Sequence, residues 1–223
     1  LAAQGAAAAA LSLRGHGGSG GRKLLQAYRI MDYVRDVRRV LAGWDRAPVL
    51  VGHSMGGLVA HLVAEEEEVA VPGLALLASS PVGGMHRDGL RMLLRQPRTF
   101  LRAMRERSLR SLYRDEAVTR WLLFSRAAPP ELVHRFQEEA VEESWLAGSE
   151  MNTWLPAPQR IRCPVLVAGG AEDNMVCAAS VQRTAAAHGV APVFLPGRGH
   201  MVQAEGDPGE LAALLLRFRA EAC

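Results

Sequence analysis

The sequence has few cysteines, and their placement excludes two classes of protein. Cys163, Cys177 and Cys223 are an odd number and have no close spacing. They therefore provide neither a disulfide framework nor the ligand spacing of a zinc site. We expect no metal or organic cofactor, and the cysteine use favours a reducing, intracellular compartment.

Long apolar runs and a strong net charge are also missing. No apolar run reaches the ~18 residues of a membrane-spanning helix, and no signal peptide is visible. Because the chain starts at Leu1 without a methionine, a targeting segment upstream stays open, and the compartment with it. The formal net charge is only +3 over 223 residues, which gives no reason to expect a nucleic-acid partner.

Short apolar runs rich in branched residues alternate with helical patterns along most of the chain. Residues 6–13 fit a helix or a strand equally well. Strands are predicted at residues 48–52, 74–78, 165–168 and 192–195, and helices at residues 24–41, 58–65, 178–188 and 210–220. This alternation predicts an α/β fold with a mainly parallel sheet flanked by helices.

Residues 81–156 interrupt the alternation, because they contain several helical patterns and no convincing strand. We interpret them as an inserted helical cap or lid. The α/β core is then discontinuous and comprises residues 1–80 and 157–223.

A serine stands at the junction between a predicted strand and a predicted helix. Gly52-His53-Ser54-Met55-Gly56 has the form G-x-S-x-G in the strand–turn–helix context that this pattern requires. A sharp turn exposes the serine hydroxyl, and glycines two residues to either side avoid Cβ collisions within it. The helix that begins at Met55 presents free backbone N–H groups where an oxyanion forms. Ser54 is therefore a candidate nucleophile, and the Met55 N–H a candidate oxyanion donor. A Gly-rich turn that only connects the two elements, or binds phosphate, is the alternative.

The sequence from Gly52 to Gly57, Gly-His-Ser-Met-Gly-Gly, resembles the nucleophile turn of the α/β-hydrolase superfamily. Residues 11–19, with the sequence Leu-Ser-Leu-Arg-Gly-His-Gly-Gly-Ser, resemble that superfamily's strand and following loop. The resemblance covers nearly all of the chain outside the predicted cap. It implies an α/β-hydrolase fold and places a strand at residues 8–13.

The same resemblance implies the acid and the base. In the superfamily, the acid follows the penultimate strand and the base follows the last strand. Asp173 and His200 lie in the matching segments, residues 167–176 and 196–201. Glu172 stays an alternative acid because it adjoins Asp173. We interpret His53, and likewise His16, as a support of its own turn.

The superfamily also implies a second oxyanion donor, on a loop that would precede Leu1. The first strands of the fold are likewise missing from the sequence. We therefore expect an N-terminally truncated copy with an unpaired sheet edge, which folds poorly or acts weakly.

The predicted cap contains a stripe of six arginines. Arg87, Arg91, Arg95, Arg98, Arg102 and Arg105 are spaced by three or four residues, as on one face of a helix. A solvated face with local ion pairs is one interpretation. Peripheral contact with an anionic lipid surface, or attraction of an acidic substrate group, is the other.

Together these features predict a serine hydrolase of the carboxylesterase or lipase type (EC 3.1.1). Its substrate is expected to be a small-molecule ester or lipid, such as a monoacylglycerol-like one, cleaved through an acyl-serine intermediate. Other chemistry that uses the same three residues, such as acyl transfer or peptidase activity, stays open. A non-catalytic ligand-binding protein of the same fold, or an inactive fragment, is the alternative.

Overall fold

The computed structural model describes residues 1–66 and 68–223. Its strands are β1 (Leu50–His53), β2 (Leu74–Leu77), β3 (Val165–Gly170) and β4 (Val193–Leu195). Its helices are α1 (Ile30–Leu41), α2 (Met55–Ala64), α3 (His86–Arg95), α4 (Pro97–Glu106), α5 (Glu116–Leu123), α6 (Pro130–Glu139), α7 (Trp145–Glu150), α8 (Ala178–Ala187) and α9 (Pro208–Ala222). Short 3-10 turns lie at Ala2–Gln4, Arg22–Ala27, Arg110–Tyr113 and Pro158–Arg160.

The four strands form one parallel sheet in the order β1-β2-β3-β4. Alternate side chains enter different cores: Leu74 and Leu76 pack with α1, α2 and α8, whereas Ala75 and Leu77 face the opposite side, where α9 packs. Burial on both faces explains why β2 and β3 are continuously apolar rather than alternating. The predicted fold class, a mainly parallel sheet flanked by helices, is confirmed.

The sheet has an open edge at β1. Within the described residues, no strand pairs with the outer side of β1, and Val51 on this strand is 46% exposed. The strand implied for residues 8–13 is wrong, because residues 6–13 form neither strand nor helix. Side chains 7–12 are exposed, so this segment does not pack against the sheet.

The helix predicted at residues 24–41 is divided in two. Tyr28 and Arg29 have extended backbone conformations that separate the 3-10 turn Arg22–Ala27 from α1. Glu150 of α7 accepts a hydrogen bond from the N–H of Ile30 at 2.9 Å and so caps α1 from a distant part of the chain. A free backbone N–H at a helix start requires such a partner.

Five helices, α3 to α7, lie between β2 and β3 within residues 81–156, which we call the helical segment. This segment has an apolar core of its own, formed by Met92, Ala103, Leu112, Leu122, Leu123, Phe124, Ala128 and Val133. None of the helices in the described residues has both the length and the apolar character needed to cross a bilayer.

Candidate active site

Ser54 occupies a strained position between β1 and α2. Its backbone angles are φ 53° and ψ −123°, a region that L-amino acids other than glycine rarely adopt. The turn is held on both sides, because the N–H of Ser54 donates to the Leu77 carbonyl and its own carbonyl accepts from Ser80. The strain is therefore imposed by neighbouring backbone, and it fixes the serine at the carboxyl end of β1.

The glycines that permit this turn differ in part from the expected pair. A Cβ on Gly52 would lie 2.5 Å from the carbonyl oxygen of Gly56, so Gly52 is required by close approach. A Cβ on Gly56 would meet nothing within 4 Å. The second crowded glycine is Gly57, where a Cβ would lie 2.3 Å from the hydroxyl of Ser79. The expectation that Gly56 avoids a collision is wrong, because α2 carries this residue into open space.

Three side chains from distant parts of the sequence meet at this turn. The hydroxyl Oγ of Ser54 lies 3.0 Å from Nε2 of His200. Nδ1 of His200 lies 2.9 Å from Oδ2 of Asp173. His200 and Asp173 are 4% and 5% exposed, so water competes little for these bonds. The serine, the imidazole and the carboxylate form one continuous hydrogen-bonded relay.

The neighbouring acid, Glu172, does not contact His200. Its Oε2 accepts a hydrogen bond from the backbone N–H of Arg126 at 3.0 Å. Asp173 is instead fixed in place, because its Oδ1 accepts the N–H groups of Met175 and Val176 at 2.7 and 2.8 Å. The structure thus joins Asp173, rather than Glu172, to the imidazole.

His53 supports the loop that carries His200. Its Nε2 donates to the backbone carbonyl of His200 at 2.9 Å. Burial, and to a lesser degree the nearby charge of His200, lowers the pKa of His53 to about 3. The ring is therefore neutral at physiological pH and donates to the loop that carries His200, rather than within its own turn as expected.

His16 lies elsewhere. Its Nδ1 is 3.1 Å from the carbonyl of Arg14 and its Nε2 is 3.2 Å from the carboxylate of Glu143. These contacts connect its loop to the helical segment.

Two buried charged residues were missed by sequence reasoning; both lie on the loop that carries His200, residues 196–207, which we call the base loop. Glu205 accepts the N–H of Gly199 at 2.7 Å and the N–H of Ser125 at 2.8 Å, and it is 4% exposed. Arg198 is buried and donates to the carbonyls of Val202 and Asp207. Both bind backbone groups, so neither shows a spacing pattern that sequence alone would identify.

The helical segment directly contacts the base loop and the loop that carries Asp173. We call this second loop, residues 171–177, the acid loop. Arg91 of α3 donates to the carbonyl of Asn174 at 3.1 Å, next to Asp173. On the base side, the N–H of Met201 donates to the carbonyl of Leu123 at 3.0 Å. Relay geometry therefore depends on residues outside the sheet.

Met55 is the first residue of α2, so its N–H is one of the groups without an acceptor inside the helix. Its assignment as an oxyanion donor stays a prediction. Across residues 1–66 and 68–223, no cluster of three or more His, Cys, Asp or Glu side chains could hold a metal ion.

Solved structures share this fold at low sequence identity. BpoC from Mycobacterium tuberculosis is 20% identical with a TM-score of 0.73, covering 95% of this chain and 80% of that one. A thermophilic esterase from Thermogutta terrifontis is 19% identical with a TM-score of 0.68, covering 94% and 78%. A monoacylglycerol lipase from Paleococcus ferrophilus is 20% identical with a TM-score of 0.65, covering 92% and 80%.

No curated protein matches the sequence. The alpha/beta hydrolase family model, by contrast, matches residues 1–214. Because this match spans nearly the whole sequence, the chain belongs to the alpha/beta hydrolase family.

Proposed function

We propose that this protein is a serine hydrolase that cleaves a carboxylic ester through an acyl-serine intermediate. The observation that carries the proposal is the relay of Ser54, His200 and Asp173, with contacts of 3.0 and 2.9 Å. Family membership and structural similarity to an esterase and a lipase support it.

The relay provides each proton transfer that the reaction needs. Nε2 of His200 accepts the proton of Ser54 as Oγ attacks the carbonyl carbon of the ester. Asp173 stabilises the resulting imidazolium through Nδ1. The tetrahedral oxyanion accepts a hydrogen bond from the Met55 N–H at the start of α2. As the oxyanion collapses, the ester C–O bond breaks, and His200 returns the proton to the leaving alcohol.

The second half of the reaction repeats this sequence with water. His200 takes one proton from water, and the remaining hydroxide attacks the acyl carbon bound to Ser54. The carbon–Oγ bond then breaks, Oγ regains a proton from the imidazolium, and a carboxylic acid is released. The balance needs only ester and water.

We further propose that the helical segment acts as a cap over the relay, with the substrate entering between them. Its support is the direct bonding of the segment to both loops, through Arg91 and Leu123. An ester with an apolar acyl group, such as a monoacylglycerol-like lipid, is the substrate class that this proposal favours.

A fluorophosphonate probe tests the nucleophile directly, because it forms a covalent bond with an activated serine. We expect wild-type protein to be labelled and a Ser54→Ala variant to remain unlabelled. Ser149→Ala is the matched control, since Ser149 is exposed on α7 and should not affect labelling. Folded wild-type protein that never reacts would refute the serine hydrolase and favour the non-catalytic ligand-binding alternative.

Hydrolysis of p-nitrophenyl esters tests the roles of the other two residues. Because members of such a relay act as a unit, we expect His200→Ala to lower kcat by about 10³-fold or more and Asp173→Asn by about 10³–10⁴-fold. Glu172→Gln is the control variant and should retain activity, since Glu172 does not contact the imidazole. Equal losses for Glu172→Gln and Asp173→Asn would contradict the assignment of the acid.

A further inference from the structure

Helices α3 and α4 expose large apolar side chains that belong to none of the apolar clusters formed by the described residues. Leu90 and Leu94 of α3 are 56% and 73% exposed, and Leu101 and Met104 of α4 are 59% and 51% exposed. Each pair has the spacing of one helical face, and the two helices pack against each other. We call these four residues the apolar patch. Such a group on adjacent helices differs from singly scattered surface leucines and indicates a contact surface.

The charges around the apolar patch have one sign. Arg87, Arg95, Arg98 and Arg105 are exposed on the same two helices, and the first three have no ion-pair partner anywhere in the described part of the chain. Arg105 has only a 4.0 Å contact, with Glu106.

The two acids of these helices do not neutralise this face. Asp88 is 3% exposed and accepts hydrogen bonds from the N–H of Cys177 and from Ser180 of α8. Glu106 is bonded to Arg114 and Ser111. Apart from the contact between Arg105 and Glu106, the exposed surface of α3 and α4 is therefore apolar and cationic.

We propose that this surface docks on a bilayer containing anionic phospholipid. Leucines enter the boundary between headgroups and acyl chains, while neighbouring arginines bind lipid phosphates. A second copy of this chain is a poorer occupant. Symmetric pairing would place the same patch on itself and would oppose arginine to arginine.

The docking surface is attached to the relay. Arg91 of α3 bonds to Asn174, and Asp88 bonds to the start of α8, so both flank the loop that carries Asp173. A bilayer on the outer face of α3 and α4 would thus contact helices that are bonded to the acid loop, and an ester from the membrane would enter the site past them. This consequence rests on the proposed function, whereas lipid binding itself does not.

Vesicle co-sedimentation tests the surface. Ser54→Ala protein is used throughout, so that the proposed hydrolysis cannot consume lipid. The vesicles are phosphatidylcholine with or without phosphatidylglycerol. We expect binding to be at least about tenfold stronger with phosphatidylglycerol and to weaken as salt rises. Folded protein that binds neither kind of vesicle would overturn the proposal.

Two independent variants locate the contact. Leu90→Gln with Leu94→Gln should weaken binding to phosphatidylglycerol vesicles about tenfold or more. Arg95→Gln with Arg98→Gln should also weaken it about tenfold or more, and should reduce its salt dependence. All four positions are solvent-exposed, and circular dichroism verifies folding. If one variant fails to fold, the other still decides.

Matched controls lie elsewhere on the surface. Leu11 and Leu24 are 45% and 61% exposed, and Arg217 and Arg219 are exposed on α9. Their double glutamine variants should bind as the unsubstituted protein does, and equal losses in these controls would overturn the assignment. Sedimentation velocity detects the competing occupant: a dimer that the Leu90/Leu94 variant disperses would show that a second copy uses the patch.

A soluble-ester assay on proteins that retain Ser54 separates the two proposals. Vesicle binding by protein that neither hydrolyses p-nitrophenyl esters nor reacts with the fluorophosphonate probe would refute the enzyme and retain the docking surface. Hydrolysis with no vesicle binding would refute the docking surface and retain the enzyme.

Discussion

Replacing His53 by glutamine separates a hydrogen bond from a titration at the same position. The ring donates to the carbonyl of His200 at 2.9 Å, and burial is the main cause that lowers its pKa to about 3. In the unfolded chain, the histidine pKa is about 6.5. At pH values between these two pKa values, the unfolded state binds a proton that the folded state does not bind, so stability falls as the pH falls.

The two pKa values set the size of this effect. Each pH unit well below 6.5 and above 3 costs about 1.4 kcal/mol, and integration from pH 7 to pH 5 gives a loss of about 2 kcal/mol from His53 alone. Glutamine ends in an N–H donor of similar reach and does not titrate. We therefore expect His53→Gln to keep most of the stability at pH 7 and to lose about 2 kcal/mol less than wild type on acidification.

Urea unfolding at pH 7, 6 and 5, followed by circular dichroism, measures this difference. His188, whose pKa burial lowers to about 4, destabilises both proteins in acid, so its effect cancels in the comparison. His86→Gln, at an exposed position, should behave as wild type. At every pH, the free energy of unfolding of His53→Ala should be about 1–3 kcal/mol lower than that of His53→Gln, because the carbonyl of His200 loses its donor. Equal pH dependence in wild type and His53→Gln would refute the reasoning.

Four further substitutions test contacts around the relay. Gly52→Ala should lower the stability by about 1–3 kcal/mol because its methyl group meets the Gly56 carbonyl. Gly56→Ala should leave the stability unchanged or raise it by up to about 1 kcal/mol. Equal melting temperatures of these two variants would contradict this. Glu205→Gln turns an amide donor toward a buried N–H and should lower both kcat and stability, the latter by about 1–3 kcal/mol in urea unfolding; unchanged values would be inconsistent with its two bonds. Asp88→Ala should cost about 1–2 kcal/mol by removing the acceptor at the start of α8, and a change below about 0.5 kcal/mol in thermal unfolding would contradict that role.

The strands were predictable because burial on both faces leaves a continuous apolar run. The end of β3 could not be predicted in this way. Gly169 and Gly170 are typical of the exit from a strand, yet both belong to β3. A Cβ on Gly170 would lie 2.0 Å from the carbonyl of Gly199. This glycine permits the base loop to lie directly on β3, and a close approach between distant segments has no local signature.

The relay was predictable as a set of residue types in the order serine, acid, histidine. Asp173 was the predicted acid and Glu172 the alternative, because adjacent acids differ only in where the folded loop directs them. The start of α1 was missed for a related reason. Asp32 accepts the N–H of Arg29 locally, but the N–H of Ile30 is capped by Glu150, 120 residues away in sequence, so the boundary also depends on a tertiary contact.

The helical segment contributes to the geometry of the relay through buried backbone hydrogen bonds. Glu205 accepts one N–H from the base loop and one from Ser125 of the segment, so a single carboxylate holds both. A buried carboxylate with two charge-assisted bonds fixes one arrangement, because loss of either donor leaves a charge in a poorly solvated place. Displacement of the segment would remove the Ser125 bond and loosen Gly199, next to His200. We therefore expect the position of His200 and the docking of the helical segment to be lost together.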